Sequence, residues 1–384
     1  MTSTSKPHAE IAGAGLAGLT AAVALAERGW SVRVHERYQS LRSQGFGITT
    51  HANGLRVLKA VGAYEDTVRD ANPLSVSELR DSEDRLISHT RYRAQSIRVS
   101  RYRLVAALAE RGRALGVELA FNSAAAGADR AGELRLESGP RLKADLVIGA
   151  DGINSRVRDS LDLIRSRRIK ADGAMRLVIP RLPEEVASED ANKVIEWWSG
   201  NRRIIYGACS PTELYIALVA RADDPLGCQA PIDRASWIQA FPKHGALFER
   251  IHRDAEWDKV MWVPFQVLKL TSWSAGRVAI AGDAAHAMPP NLGQGGGCSL
   301  MNVLALAVIL EETGNDVERA LSLWEQRERP LTEHTQFWSQ LYSVLTAWPR
   351  ALREPAFALL GLPWMQKQYR RTSNHIGTGT EHVN

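Results

Sequence analysis

The 384-residue sequence is short of cysteine, of long apolar runs and of segregated charge, and each shortage removes a class of protein. Its three cysteines, Cys209, Cys228 and Cys298, form no Cys-x-x-Cys pair and are odd in number. That argues against a disulfide framework and a zinc site and points to a reducing cytoplasm. No apolar run approaches the roughly 18 residues of a membrane-spanning helix; the longest is VLALAVIL at 303–310. The first ten residues are polar and lack the apolar stretch of a secretory signal. The net charge of +5 comes from basic residues interspersed with acids, densest at Arg165-Ser166-Arg167-Arg168. A nucleic-acid binder would gather its cations into one stripe, so none is expected; a mildly positive field suits a small anionic substrate.

The length is large for one core and suits two domains. A strand ending at Ile11-Ala12 runs into a glycine turn, an Ala/Leu-rich helix from Leu16 to Arg28 and a second strand from Ser31 to Glu36. Apolar runs at 145–149 and 277–281 suit strands buried on both faces of a parallel sheet. Residues 193–221 differ: turn signals at Gly200-Asn201 and Ser210-Pro211 separate β-rich runs, as in an antiparallel meander. The fold class expected is α/β. A discontinuous Rossmann-type domain covers 1–73, 99–171 and 266–335. An inserted antiparallel β-sheet domain covers 74–98 and 172–265, and a C-terminal helical segment 336–384. The chain reads as helical from 303 to about 345; beyond that, aromatic residues such as Trp364 and Tyr369 among basic ones suit packing over the core or a homodimer contact.

Three motifs carry chemistry. In Gly13-Ala14-Gly15-Leu16-Ala17-Gly18 the first glycine makes a tight turn, the second admits a pyrophosphate, and the third lets the helix pack on the strand. The helix N-terminus offers free N–H groups to phosphate. Glu36, ending the next strand, can accept hydrogen bonds from a ribose. The second motif, Asp145 to Arg158, is a strand entering a turn at Asp151-Gly152. The third, Gly276 to Gly297, delivers Asp283 to the carboxyl end of a strand, where open α/β sheets bind ligands. Pro289-Pro290 stiffens the turn that follows, and Gly293 to Gly297 let the backbone approach a planar ring.

In this order the motifs resemble the group A flavoprotein monooxygenases, the aromatic hydroxylases with the p-hydroxybenzoate hydroxylase fold, over about residues 8 to 335. The resemblance implies FAD held by Gly13, Gly15, Leu16, Ala17 and Gly18, with Glu36 and Arg37 at the adenosine end. Arg101 would lie near the pyrophosphate. Arg42 would precede the turn Gly45-Phe46-Gly47-Ile48, whose Gly47 meets the flavin. Asp151 would lie beside the nucleotides, Asp283 at the ribityl chain, and Pro290, Gly293, Gly295 and Gly296 at the flavin edge. It also implies NADH or NADPH as a transient co-substrate, there being no second glycine fingerprint, and O2 reacting as a flavin C4a-(hydro)peroxide. One position departs from the family: the helix after the glycine loop carries Asn302 where an Asp is common.

The middle of the chain resembles the branch of 2-methyl-3-hydroxypyridine-5-carboxylic acid oxygenase and the 5-pyridoxate enzyme, in Asp172 to Arg181, Arg203 to Tyr206 and Glu213 to Tyr215. The branch implies Arg176, Arg203 and Tyr215 at the substrate, with Pro289 walling the site. An Arg fork suits a carboxylate and a Tyr hydroxyl suits a hydroxypyridine. Arg203 and Tyr215 share a sheet face only if the hairpin loop between them has an odd length. A further Tyr of that branch has no counterpart at Ser77. The alternatives are a 6-hydroxynicotinate 3-monooxygenase-like hydroxylase, suggested by Trp197-Trp198-Ser199, and a non-oxygenating FAD-binding protein. His286 reads as support for the Asp283 loop and Cys298 as a packing residue, with a lowered thiol pKa the alternative for the latter.

Overall fold

The structure is a computed structural model that describes residues 6–42, 46–92, 94–346, 348, 350–360 and 362–383; Gly45 of the turn expected against the flavin lies outside them. The apolar runs become the centre of a six-stranded sheet. Its order is Ser274–Ala275, Val278–Ile280, Leu146–Gly149, His8–Ala12, Ser31–His35, Glu118–Ala120. All its junctions are parallel except the first. Leu146 to Ile148 and Val278 to Ile280 are fully buried, which is why those stretches show no alternation. Helices Leu16–Glu27 and Gly295–Glu312 pack against each other beside this sheet.

Helix Gly295–Glu312 has 18 residues and a mean hydropathy of 1.3, so by length and composition it could cross a membrane, although no uninterrupted apolar run in the sequence is that long. Two-thirds of it is buried inside the molecule, as in a core helix. The helical stretch expected from 303 to about 345 is two helices, Gly295–Glu312 and Val317–Thr346. Gly314 and Asn315, with φ of +63° and +65°, turn the chain between them.

The meander becomes part of a seven-stranded sheet. Its order is Val263–Leu270, Ile164–Pro180, Glu213–Arg221, Arg202–Ala208, Lys193–Ser199, Val76–Asp81, Leu86–Arg91. One face packs on helices Arg234–Ala240 and Gly245–Asp254 through Trp237, Phe241 and Phe248. The other face looks back at the parallel domain across a small sheet of Gly47–His51, Ser96–Ser100 and Asn72–Pro73. Beyond helix Pro363–Tyr369 the chain runs back along Gly295–Glu312, close enough that a methyl on Gly379 would lie 2.7 Å from Val308.

The tightest demand of the packing falls on Gly18, where a Cβ would lie 1.9 Å from the Gly13 carbonyl oxygen. Gly18→Ala is expected to destabilise the protein by at least about 1–3 kcal/mol through this clash. A thermal melt unchanged from the parent would contradict that packing.

Candidate active site

Three loops meet at the carboxyl ends of the parallel strands. Gly13, at φ +101°, passes so close to the second motif that a Cβ would lie 2.5 Å from the Ala150 carbonyl oxygen. Its N–H donates to His35 O at 2.7 Å, fixing the turn to the neighbouring strand. The Glu36 carboxylate accepts from Ala14 N at 3.0 Å and Tyr38 N at 3.2 Å, which holds it at the mouth of the glycine turn. Arg158, fully buried, ties the second motif to the third by donating to Ile153 O at 3.0 Å and Ala284 O at 3.3 Å. Its position in the sequence reads only as a basic helix start.

The crevice so formed fits FAD. No side chain caps the N-terminus of Leu16–Glu27 at Gly15 or that of Gly295–Glu312 at Gln294, so both helices keep N–H groups for an anionic ligand. Gly15, Gly295 and Gly296 face space: a methyl on any of them meets nothing closer than 3.6 Å. Arg101 lies 3.7 Å from that methyl position on Gly15. Burial and the Arg42 charge hold its guanidinium below its ordinary pKa, while Asp283 and Glu36 pull the other way. The Asp283 side chain opens onto the crevice, yet the surrounding protein pushes its carboxyl pKa up, against the pull of Arg101 and Arg176. Arg37 and Arg42 both lie over the Tyr38 ring, at 5.4 and 4.9 Å. Asp151 caps helix Arg156–Asp159 through Oδ2, to Arg156 N at 2.8 Å, and leaves Oδ1 buried without a partner.

Next to the crevice is a cavity of about 1080 Å³. Its walls come from the turn Pro290–Gln294, from Thr49 and His51, from the seven-stranded sheet, and from the C-terminal segment through Tyr369 and Arg370. Pro290 lines it; Pro289 is buried beneath, its carbonyl accepting from Ser339. Gly293 adopts the left-handed conformation, φ +62°, that the turn requires.

The hairpin loop is Ser210–Thr212, and its odd length puts Arg203 and Tyr215 on one face. Arg203 pairs with Val219 and Tyr215 with Gly207, so the two stand four residues, about 13 Å, apart. Arg176 and Tyr215 come together: the guanidinium bonds the phenol and lies over Phe46 and Phe265 at 5.6 and 5.7 Å. Tyr215 is wedged under Gly47, where a methyl would lie 2.7 Å from its ring and from Cys209 Sγ. Arg203 is buried and donates to Glu196 at 3.0 Å; that carboxylate, which also bonds the Tyr342 hydroxyl, lines the cavity.

Other residues of the cavity were not singled out as substrate contacts in the sequence: Arg98, Tyr92, Glu196, Tyr342, Tyr369 and Arg370. The Tyr92 hydroxyl bonds Ser77 and its ring lies 5.6 Å from His51, so a tyrosine reaches the Ser77 position from just past the end of the neighbouring strand. Asn302 explains itself through His286: its Nδ2 lies 3.1 Å from His286 Nε2 and 3.1 Å from Thr332 Oγ1, a neutral buried pair. Cys298 is buried and its thiol is pushed up to about 11, an inert packing residue.

Residues 7–335 match a family model described as FAD binding domain. The chain is 37% identical over 361 residues to the 2-heptyl-3-hydroxy-4(1H)-quinolone synthase of Mycobacteroides abscessus, covering 93% of this chain and 95% of that protein. It is 27% identical over 357 residues to the 6-hydroxynicotinate 3-monooxygenase of Bordetella bronchiseptica, covering 86% and 90%. Among solved structures, a mutant of 2-methyl-3-hydroxypyridine-5-carboxylic acid oxygenase aligns with a TM-score of 0.86 at 38% identity, over 95% of this chain and 97% of that one. A tetrameric form of the same oxygenase aligns at 0.87 and 37%, over 97% and 99%.

Burial pushes His286 down to about 4, below its ordinary 6.5. The unfolded chain then takes up a proton that the folded one refuses, so stability is full above about pH 6.5 and falls as pH drops toward 4. Between pH 6.5 and 5 this residue is expected to cost about 2 kcal/mol. Urea unfolding of the parent and of His286→Gln at pH 7 and pH 5 checks it: the acid-induced loss is expected to shrink by that amount in the variant, and equal losses would contradict the assignment.

Proposed function

This chain belongs to the FAD-binding-domain family and is an FAD-dependent aromatic monooxygenase, and from that premise we propose that it hydroxylates carbon 3 of a 2-alkyl-4(1H)-quinolone. The stoichiometry is one ring C–H, one O2, one NADH or NADPH and one proton giving one C–OH, one water and the oxidised nicotinamide. Bound FAD supplies the electron transfer and oxygen activation that no side chain provides. The chain itself does the holding, orienting and drying. The two glycine-bounded helix N-termini, Glu36, Arg101 and Asp283 would hold the cofactor. The turn Pro290–Gln294 and strand Gly47–His51 would set the ring plane against it, and the segment carrying Tyr369 and Arg370 supplies one wall of the cavity.

The observation that carries the substrate reading is the pairing of Arg203 with Glu196. A buried arginine already neutralised by a half-buried acid is no fork for a second carboxylate. A ring without an acid group therefore fits this face better than a pyridine carboxylate, and the cavity has room for a bicyclic ring with an alkyl chain. In a 4(1H)-quinolone, C3 is the electron-rich carbon of an N–C=C–C=O system, the one an electrophilic oxygen attacks. The likeness to the quinolone synthase of Mycobacteroides abscessus supports the same reading.

A second reading is a hydroxypyridine carboxylate, oxygenated with or without ring opening. Arg176 favours it, since among the described residues this arginine makes no ion pair and stands beside Tyr215. In either reading we place the enzyme in a reducing compartment, on its three free cysteines.

Substrate-stimulated NAD(P)H oxidation under labelled dioxygen tests the two against each other. 2-Heptyl-4(1H)-quinolone is expected to give a kcat/KM at least roughly tenfold above 2-methyl-3-hydroxypyridine-5-carboxylate or 6-hydroxynicotinate, with one labelled oxygen in the product. The reverse preference would move the assignment to the pyridine acids.

A further inference from the structure

The cavity wall holds a buried cation without a counter-ion. Arg98 stands on strand Ser96–Ser100, opposite Thr49 of strand Gly47–His51, and is 4% exposed. Its Nε and Nη2 both donate to the one Thr49 hydroxyl, at 3.3 and 3.2 Å. Its Nη1 is buried with no acceptor. The guanidinium lies 5.2 Å from the centre of the Tyr215 ring and packs on Gly207, where a methyl would come within 2.5 Å of Nη1. Among the described residues no carboxylate lies within ion-pair distance of it.

The groups around it supply no negative charge. His51, on the facing strand, is pushed down to about 4 by burial and by the Arg98 and Arg370 charges, so it is neutral at physiological pH. Tyr92, Tyr215 and Cys209 are all pushed up by burial and stay protonated. Arg370 brings a second positive charge from the C-terminal segment. On the sheet face Glu196 is already engaged by Arg203 and Tyr342, and Glu78, which also lines the cavity, by Arg80 and Lys193. A guanidinium taken out of water into such surroundings is unfavourable unless an anion joins it there.

We propose that Arg98 is the counter-ion for the ring oxygen of the bound substrate, so that the enzyme takes up its heteroaromatic as an oxyanion. For a 4(1H)-quinolone the ring N–H proton leaves to solvent and the charge is shared between the nitrogen and the oxygen on C4. For a 3-hydroxypyridine the hydroxyl proton leaves. In both the anion is richer in electrons at the neighbouring ring carbons than the neutral form. The charge that binds the substrate thus also selects its more reactive form. This role rests on the heteroaromatic reading above and concerns a residue distinct from Arg176 and Arg203.

The test uses the FAD-loaded protein and a matched pair of probes: 2-heptyl-4(1H)-quinolone, and 2-heptyl-4-methoxyquinoline, which cannot form the oxyanion. Each is titrated from about pH 6 to about pH 10, reading the flavin absorbance and the ligand's own ultraviolet band. The bound quinolone is expected to ionise within that range, where the free ligand stays neutral. Arg98→Met should abolish that shift and weaken quinolone binding by roughly tenfold or more, leaving the methyl ether within about twofold. Arg98→Lys, which keeps the charge and loses the fork, should retain part of the shift, and it is the variant to read if the methionine protein does not hold FAD. Quinolone bound in its neutral form by the parent, or an unaltered shift in Arg98→Met, would overturn the role of Arg98 alone. If only 2-methyl-3-hydroxypyridine-5-carboxylate perturbs the parent flavin, the quinolone reading fails and the same ionisation shift, read on that ligand, decides the arginine. Binding of neither ring class would overturn both.

Discussion

At the carboxyl end of strand His8–Ala12 two stretches of backbone cross so closely that neither can carry a side chain toward the other. Gly13 turns over the Ala150 carbonyl while Gly18 presses the first helix onto Gly13 itself. That crossing fixes where the helix N-terminus points, Glu36 holds the glycine turn through Ala14, and Arg158 ties the second loop to the third. A crevice made of backbone N–H groups and glycine-cleared surface follows from sterics before any ligand is considered. The parallel sheet is the reason it forms there, since its crossover connections leave the loops of neighbouring strands side by side at one edge.

Electrostatics divides the molecule in two. In the crevice the charges face one another: Arg101 and Arg42 against Glu36 and Asp283, an arrangement suited to a ligand with both phosphates and hydroxyls. In the neighbouring cavity both acids are already taken, Glu196 by Arg203 and Glu78 by Arg80 and Lys193, while Arg98 keeps an amino group without an acceptor. A largely buried pair such as Arg203–Glu196 adds little net stability, but it sets the polarity of the sheet face beside the cavity.

The crevice was legible in the sequence because it is made by local rules. Positive φ needs glycine, a buried parallel strand is apolar on both faces, and an acid ends the next strand beside the turn, so Gly13, Gly18, Glu36 and Asp283 announce themselves by spacing. The α/β class and the antiparallel meander followed from periodicity in the same way. The cavity was much less legible. Its lining combines strands far apart in the chain with a C-terminal segment whose aromatic and basic residues carry no periodic signal. Arg203 looked like a free fork because its partner, Glu196, sits on the adjacent strand, and only register reveals that they meet. Tyr92 could not be found from the empty Ser77 position for the same reason: it reaches across from just past the end of the neighbouring strand Leu86–Arg91. Asn302 read as a lost charge, yet in the fold it is the neutral partner that a buried, uncharged His286 requires.

The most direct test is a crystal structure of the protein grown with FAD and 2-heptyl-4(1H)-quinolone. The account predicts an isoalloxazine ring between strand Gly47–His51 and the turn Pro290–Gln294, with the quinolone beside it and its C3 turned to the flavin. A flavin bound away from the three converging loops, or a quinolone lodged outside the cavity lined by Arg98 and Glu196, would contradict it.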